Sequence, residues 1–277
     1  MHPVVTHRGC VNGLMNKLTT KILIWHAVVA VLAWRLWAYG RYVSFNATTG
    51  IDFEPATVLN FVLLVSLMVL GYALFQKKIW SVSVSGVVGL LFLGYFGITW
   101  LNLLGVGLFV LLNLYSRANT VSEITERHKI NIRRSLNTGL FPVVMAFFLV
   151  ISFAAYQSPG VKNLQNAKQL PSQSEVFIQT IIEKTAGGYV QGNPGEKRGT
   201  INQASNQTLK SLNDFLRPYF KYSPPVVAFG LFLVLWGLSW IFVWLSVLLG
   251  MLIFWILKKT NVVKIEERDV KAETLII

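Results

Sequence analysis

Arg127, Lys129, Arg133 and Arg134 follow one another in a short polar segment that begins where a long apolar run ends, and the chemistry open to them is electrostatic. Cationic side chains beside a bilayer attract anionic headgroups, at roughly 1 kcal/mol for each basic residue near the surface. These four residues are therefore candidate anionic-lipid contacts. Their segment, Ser116 to Asn137, carries five basic and two acidic residues. Thr120 with Glu123 has the spacing of a capping box, and Val121, Ile124, His128 and Ile132 share one helical face. The expectation is an amphipathic basic helix over 116–138 resting on the cytoplasmic interface; a solvated connector is the alternative.

Other reactive side chains are isolated. Cys10 is the sole cysteine, which excludes an intramolecular disulfide and leaves a cysteine-based metal site without ligands. His128 has no second ligand at metal spacing. His26 lies within an apolar run, where a hydrogen bond between helices is a commoner role than proton transfer. Arg35 stands among Trp34, Trp37 and Tyr39, a setting in which the guanidinium snorkels to the headgroups. The chain holds no HExxH pair, no Gly-x-Ser-x-Gly elbow and no phosphate loop, and no Asp or Glu falls within an apolar run. These absences predict no enzymatic activity, no cofactor and no metal.

The elements that would carry these residues are membrane helices. Hydrophobic residues make up 53% of the chain and charged ones 13%, half the share usual in soluble domains. From Ile79 to Tyr115 no acid or base interrupts the apolar sequence. As one helix this run would reach about 54 Å, nearly twice the hydrocarbon thickness, so it is read as two crossings joined by a tight turn near Trp100, Leu101 and Asn102. The predicted fold is all-α, a polytopic helical membrane protein with about six transmembrane helices and one small helical extramembrane module.

In order, the reading is a cytoplasmic tail over 1–21, then four spans over 22–115, at about 22–39, 56–75, 79–99 and 101–115. The basic helix over 116–138 follows, then a span over 139–156, a module over 157–223, a long span over 224–257 and a cytoplasmic tail over 258–277. A cleavable signal peptide is the competing reading of the first span. For 224–257 the competing reading is a second hairpin. In the module, Ser172 with Glu175 marks the start of one helix, Gly192 to Gly195 a turn, and Asn202 the approximate start of another. The net charge of +13 sits in short loops, as expected of loops retained in the cytoplasm, and forms no compact patch that would suit nucleic acid.

Two surfaces are candidates for contacts with other helices. Ser83, Gly86, Gly94 and Gly97 gather on one side of the third span, and small residues so placed admit a neighbouring backbone. Leu209, Leu212, Leu216 and Phe220 form an apolar stripe in the module and are the candidate partner surface. The partners expected are the lipid bilayer with its anionic lipids and an unidentified membrane or extracytoplasmic protein, without nucleic acid. The function that fits is a structural or interaction component of a membrane complex, multi-pass in the cell membrane with both termini cytoplasmic. A transporter or channel for a small solute is the alternative.

Overall fold

A computed structural model describes residues 8–45, 54–125, 131–159, 161–162, 194–216 and 221–263. Seven helices are found among them: α1 (Arg8–Phe45), α2 (Pro55–Leu74), α3 (Lys78–Phe96), α4 (Trp100–Thr125), α5 (Ile132–Gln157), α6 (Pro194–Leu216) and α7 (Ser223–Lys259). All except α6 are long and apolar enough to cross a membrane, and the described residues include no strand. Described residues up to Phe153 and from Phe232 onward form one compact unit, and those from Ala154 to Leu231 form a second.

In the first unit α2 and α5 are central, with 67% and 61% of their most apolar stretches buried, while the other spans bury a third or less. The core between them is aromatic. Phe147 of α5 stacks on Trp37 of α1 at 5.7 Å and meets Phe61 of α2 and Phe109 of α4 edge-on. Phe61 in turn contacts Phe148 and, from α7, Phe242. Offset and edge-on pairs of this kind add to packing where the surrounding lipid supplies no hydrophobic drive. Trp37 was expected with the interface aromatics. It is instead fully enclosed, and its indole N–H donates to the Val88 carbonyl of α3 at 3.1 Å. Its position along α1 does not reveal this, because the buried side of a membrane helix is as apolar as the lipid side.

The run from Ile79 to Tyr115 is divided between α3 and α4, which pack against each other. Its turn lies at Gly97–Thr99, just before the predicted place. Gly97 closes α3 at φ +86°, a backbone region that glycine enters at least cost. Thr99 then caps α4, its hydroxyl oxygen accepting the Asn102 N–H at 3.2 Å. Asn102 is buried, and its amide donates back to the Gly97 carbonyl at 2.8 Å. Trp100, Leu101 and Asn102 thus begin the second arm.

No separate amphipathic helix begins at Ser116. The helix that contains it, α4, runs unbroken through 26 residues to Thr125, and Ile132 to Asn137 belong to α5. Thr120 is no cap: it is buried within α4 and its hydroxyl donates to the Ser116 carbonyl at 2.8 Å. The change from apolar to polar sequence at Ser116 marks a change of surroundings, with no glycine or proline to end the helix. Pro142 would fall in the first turn of the span read as starting at 139; α5 begins earlier, at Ile132, so this proline lies inside the helix. Proline is tolerated within membrane helices whose neighbours and local adjustments satisfy the freed backbone.

Of the second unit, α6 is the principal described element. Its first residue is Pro194, which was expected in a turn; a proline needs no backbone N–H at that position and its fixed φ suits a helix start. The helix predicted from Ser172 lies outside the described residues. Through both units runs α7, unbroken for 37 residues and so about 56 Å long, which removes the second-hairpin reading. It ends at Lys258 and Lys259, in the last turn where cations complement the helix dipole, and Asn261 follows at φ 57°.

Candidate functional site

The most developed site in the first unit lies where α5 begins. Asn131 caps that helix: its side-chain oxygen accepts the Arg134 N–H at 3.2 Å and its carbonyl accepts the Ser135 N–H at 3.0 Å. The following turns are held to α4 by hydroxyl groups. Ser116 donates to the Gly139 carbonyl at 2.6 Å, and Ser135 donates to the Thr120 carbonyl at 3.1 Å. Gly139 allows this approach, since a Cβ there would stand 2.8 Å from Val69 and against the Thr120 hydroxyl. Arg134 adds an ion pair, its Nε 2.9 Å from Glu123. On the side facing α7, Leu136 packs over Gly250.

Beside this seam α5 and α7 leave a cleft of about 690 Å³. Asn131, Arg133, Arg134 and Asn137 supply polar lining; Phe141, Trp240, Val243, Trp244 and Val247 supply most of the rest, with Ser239. Arg133 is exposed and makes no hydrogen bond or ion pair among the described residues. The cleft is therefore basic in one part and aromatic in another.

A second polar group lies wholly inside the bundle. The buried Tyr72 hydroxyl of α2 donates to Asn113 Oδ1 of α4 at 2.7 Å and lies 3.2 Å from the Ser85 hydroxyl of α3. The Asn113 amide donates to the Phe109 carbonyl at 2.8 Å, and Ser85 donates to Ser81 at 2.8 Å. Asn60 and Trp25 likewise donate to carbonyls of neighbouring helices, at 3.0 and 3.2 Å. Such groups join helices, and their arrangement shows neither a nucleophile beside a base nor paired acids. Among the described residues no three His, Cys, Asp or Glu side chains lie close enough together to hold a metal ion.

The structure distributes the predicted residues unevenly. Arg133 and Arg134 meet at the cleft, while Arg127 and Lys129 lie outside the described residues. The glycine face of α3 is not where this chain packs. A Cβ at Gly86, Gly94 or Gly97 would meet nothing within 4 Å, and Ser83 is half-buried. The buried side carries Ser81, Val84, Ser85, Val88, Gly89 and Phe92, and the close approach is at Gly89, whose Cβ would stand 2.7 Å from Val106 of α4. Both sides of α3 are small and apolar, so composition does not separate them. On α6, Leu209 is buried within the protein and is not free for a partner; Leu212 is half-buried beside Gln207, Thr208 and Ser211. Leu216 ends α6, and Phe220 lies outside the described residues. Two features escaped the sequence reading. Asn131 had a legible signal, an Asn directly before a helical stretch. The pairing of Arg133 with Trp240 and Trp244 in one cleft had none, since more than 100 positions separate them in the chain.

Fold and site together define a multi-pass helical membrane protein whose interior polar groups join helices. Compared with models of known protein families, with curated proteins and with solved structures, the chain matches none of them.

Proposed function

We propose that this protein is a structural or interaction component of a membrane complex rather than an enzyme, and that it lies in the cell membrane with both termini cytoplasmic. The observation that carries the reading is the contrast between interior and surface. Inside, the hydroxyl, amide and indole groups of Tyr72, Asn113, Asn60, Ser116 and Trp37 are engaged in bonds from one helix to another. Outside, α7 presents Phe229, Trp236, Trp240 and Trp244 and α3 presents Leu90, all at least half exposed, which is surface for lipid or for another membrane helix. A carrier coupled to protons or cations commonly keeps an acidic group within its spans; the apolar stretches of these helices hold none, Glu123 lying in the polar last turns of α4, so the transporter reading has less support.

The orientation rests on charge. Lys21 donates to the Val262 carbonyl at 3.1 Å, and Arg117 donates to the Gln76 carbonyl in the α2–α3 turn. The basic residues around these contacts, including Lys77, Lys78, Lys258 and Lys259, mark one end of the first unit, and basic loops are retained in the cytoplasm. The α6 module is the surface offered to a partner.

Isolation of the tagged full-length protein from native membranes, followed by mass spectrometry, tests the reading. A reproducible set of co-purifying membrane or extracytoplasmic proteins is expected, and their recovery should fall several-fold in the double variant Leu212→Ser, Phe215→Ser. Phe215 is exposed and Leu212 half-buried, so thermal unfolding of the variant is measured alongside, and recovery is compared only if it is unchanged. Recovery of the protein alone with a bound solute would favour transport.

A further inference from the structure

We propose that the cleft between α5 and α7 is a seat for a single anionic glycerophospholipid, its phosphate held by Arg133 at the start of α5 and an acyl chain laid along Phe141, Trp240 and Trp244. This inference does not depend on the scaffold reading. It begins with charge. Arg133 and Arg134 both line the cleft, and of the two it is Arg134 that is paired, its Nε 2.9 Å from the Glu123 carboxylate. Arg133 is exposed and without a partner among the described residues, so its guanidinium is available to an anion in the cleft. The start of α5 adds the positive end of a helix dipole, and its cap satisfies the Arg134 N–H alone among the side-chain contacts of that turn. Asn137, also in the lining, brings an amide able to donate to phosphate or ester oxygens.

The rest of the cleft selects the remainder of the molecule. Phe141, Trp240 and Trp244 are 47%, 68% and 57% exposed, and they lie on helices apolar enough to span a bilayer. A free phosphate would use the basic part and leave this wall bare. A zwitterionic lipid such as phosphatidylcholine would use the wall but bring a quaternary ammonium beside the phosphate, which repels Arg133 and offsets part of its attraction. An anionic phospholipid satisfies both, and a cleft of about 690 Å³ has room for its headgroup and the first part of one acyl chain, the remainder lying in the bilayer. The lipid would come from the leaflet that meets the basic end of the bundle. The site differs from a basic helix resting on many headgroups, because it holds one lipid by two chemically different ends.

The test uses the full-length protein in mild detergent. Retention of phosphatidylglycerol and of phosphatidylcholine with identical acyl chains is measured by native mass spectrometry, and their effect on thermal unfolding is followed in parallel. Retention of phosphatidylglycerol should exceed that of phosphatidylcholine by about five-fold, the factor that one well-placed cation near a lipid surface contributes. Arg133→Gln should bring the two lipids to near parity without lowering the unfolding temperature of lipid-free protein, because Arg133 is exposed and has no partner among the described residues. Trp240→Ala with Trp244→Ala should weaken both lipids together. Equal retention of the two lipids by the unaltered protein would overturn the proposal, as would an anionic preference that survives Arg133→Gln. Inorganic phosphate that stabilised the protein as well as phosphatidylglycerol, and displaced it, would overturn it in favour of a site for a free anion.

Discussion

At Gly139 and Gly86 the same residue type has opposite surroundings, and the two positions make a matched test of helix packing. A methyl group at 139 would press on Thr120 and Val69, in the seam that holds α5 to α4. Overpacking of that kind costs about 1–3 kcal/mol. At 86 the methyl group meets nothing within 4 Å, and alanine is the better helix former by about 1 kcal/mol. Gly139→Ala should therefore lower the thermal midpoint in detergent and Gly86→Ala should hold or raise it. The reverse order would mean that α3 packs through its glycine face after all. Tyr72 supplies a second residue-scale test. Tyr72→Phe removes the donor to Asn113 Oδ1 and leaves that oxygen buried without it. Hydrogen bonds between membrane helices contribute about 1 kcal/mol, so a modest fall in stability is expected. If Tyr72→Phe has no effect in the unaltered protein yet costs stability in an Asn113→Leu background, the bond is not the link described.

Among the elements, the α3–α4 hairpin shows how a turn forms within a sequence that lacks charge. Gly97 ends one arm by its backbone angle, while Thr99 and Asn102 close the turn with side-chain bonds. The packing reading of Gly97 predicts that harm grows with side-chain size. The geometry predicts otherwise: a side chain at φ +86°, ψ 161° is strained by about 1–3 kcal/mol whatever its bulk, and the space around it is open. Gly97→Ala and Gly97→Leu should accordingly destabilise to a similar degree in thermal unfolding. A much larger loss for leucine would restore the packing reading. In the other long element, the continuation of α4 to Thr125 rests on Ser116 and Thr120, whose hydroxyls bond to carbonyls in or beside their own helix. Their sequence context resembles a helix start, and only the neighbouring α5 shows them as a seam.

At the scale of the whole molecule, α5 is the one candidate crossing among the described residues between Thr125 and α6. In a Cys10→Ser background, Thr125→Cys and Gln207→Cys should thus react with an impermeant thiol reagent from opposite sides of sealed vesicles. Both positions are exposed, so failure of access is not a concern. Thr125→Cys is expected to label from the cytoplasmic side. Labelling of both from one side would overturn the proposed topology and with it the placing of α6 outside.

The number of long apolar helices and the division of the Ile79–Tyr115 run were legible in the sequence alone, because bilayer thickness sets a length that composition either meets or does not. Helix ends were less so. Ser116 and Pro142 look like boundaries when polarity or proline is taken as the sign, but backbone hydrogen bonding continues past both. Which face of each helix turns inward was decided only in three dimensions. In a soluble protein burial separates apolar from polar residues, whereas in a membrane both faces are apolar, so the choice passes to shape and to hydrogen bonds. Gly89 rather than Gly86, Trp37 in the core rather than at the interface, and Arg133 brought beside Trp240 and Trp244 are three results of that choice.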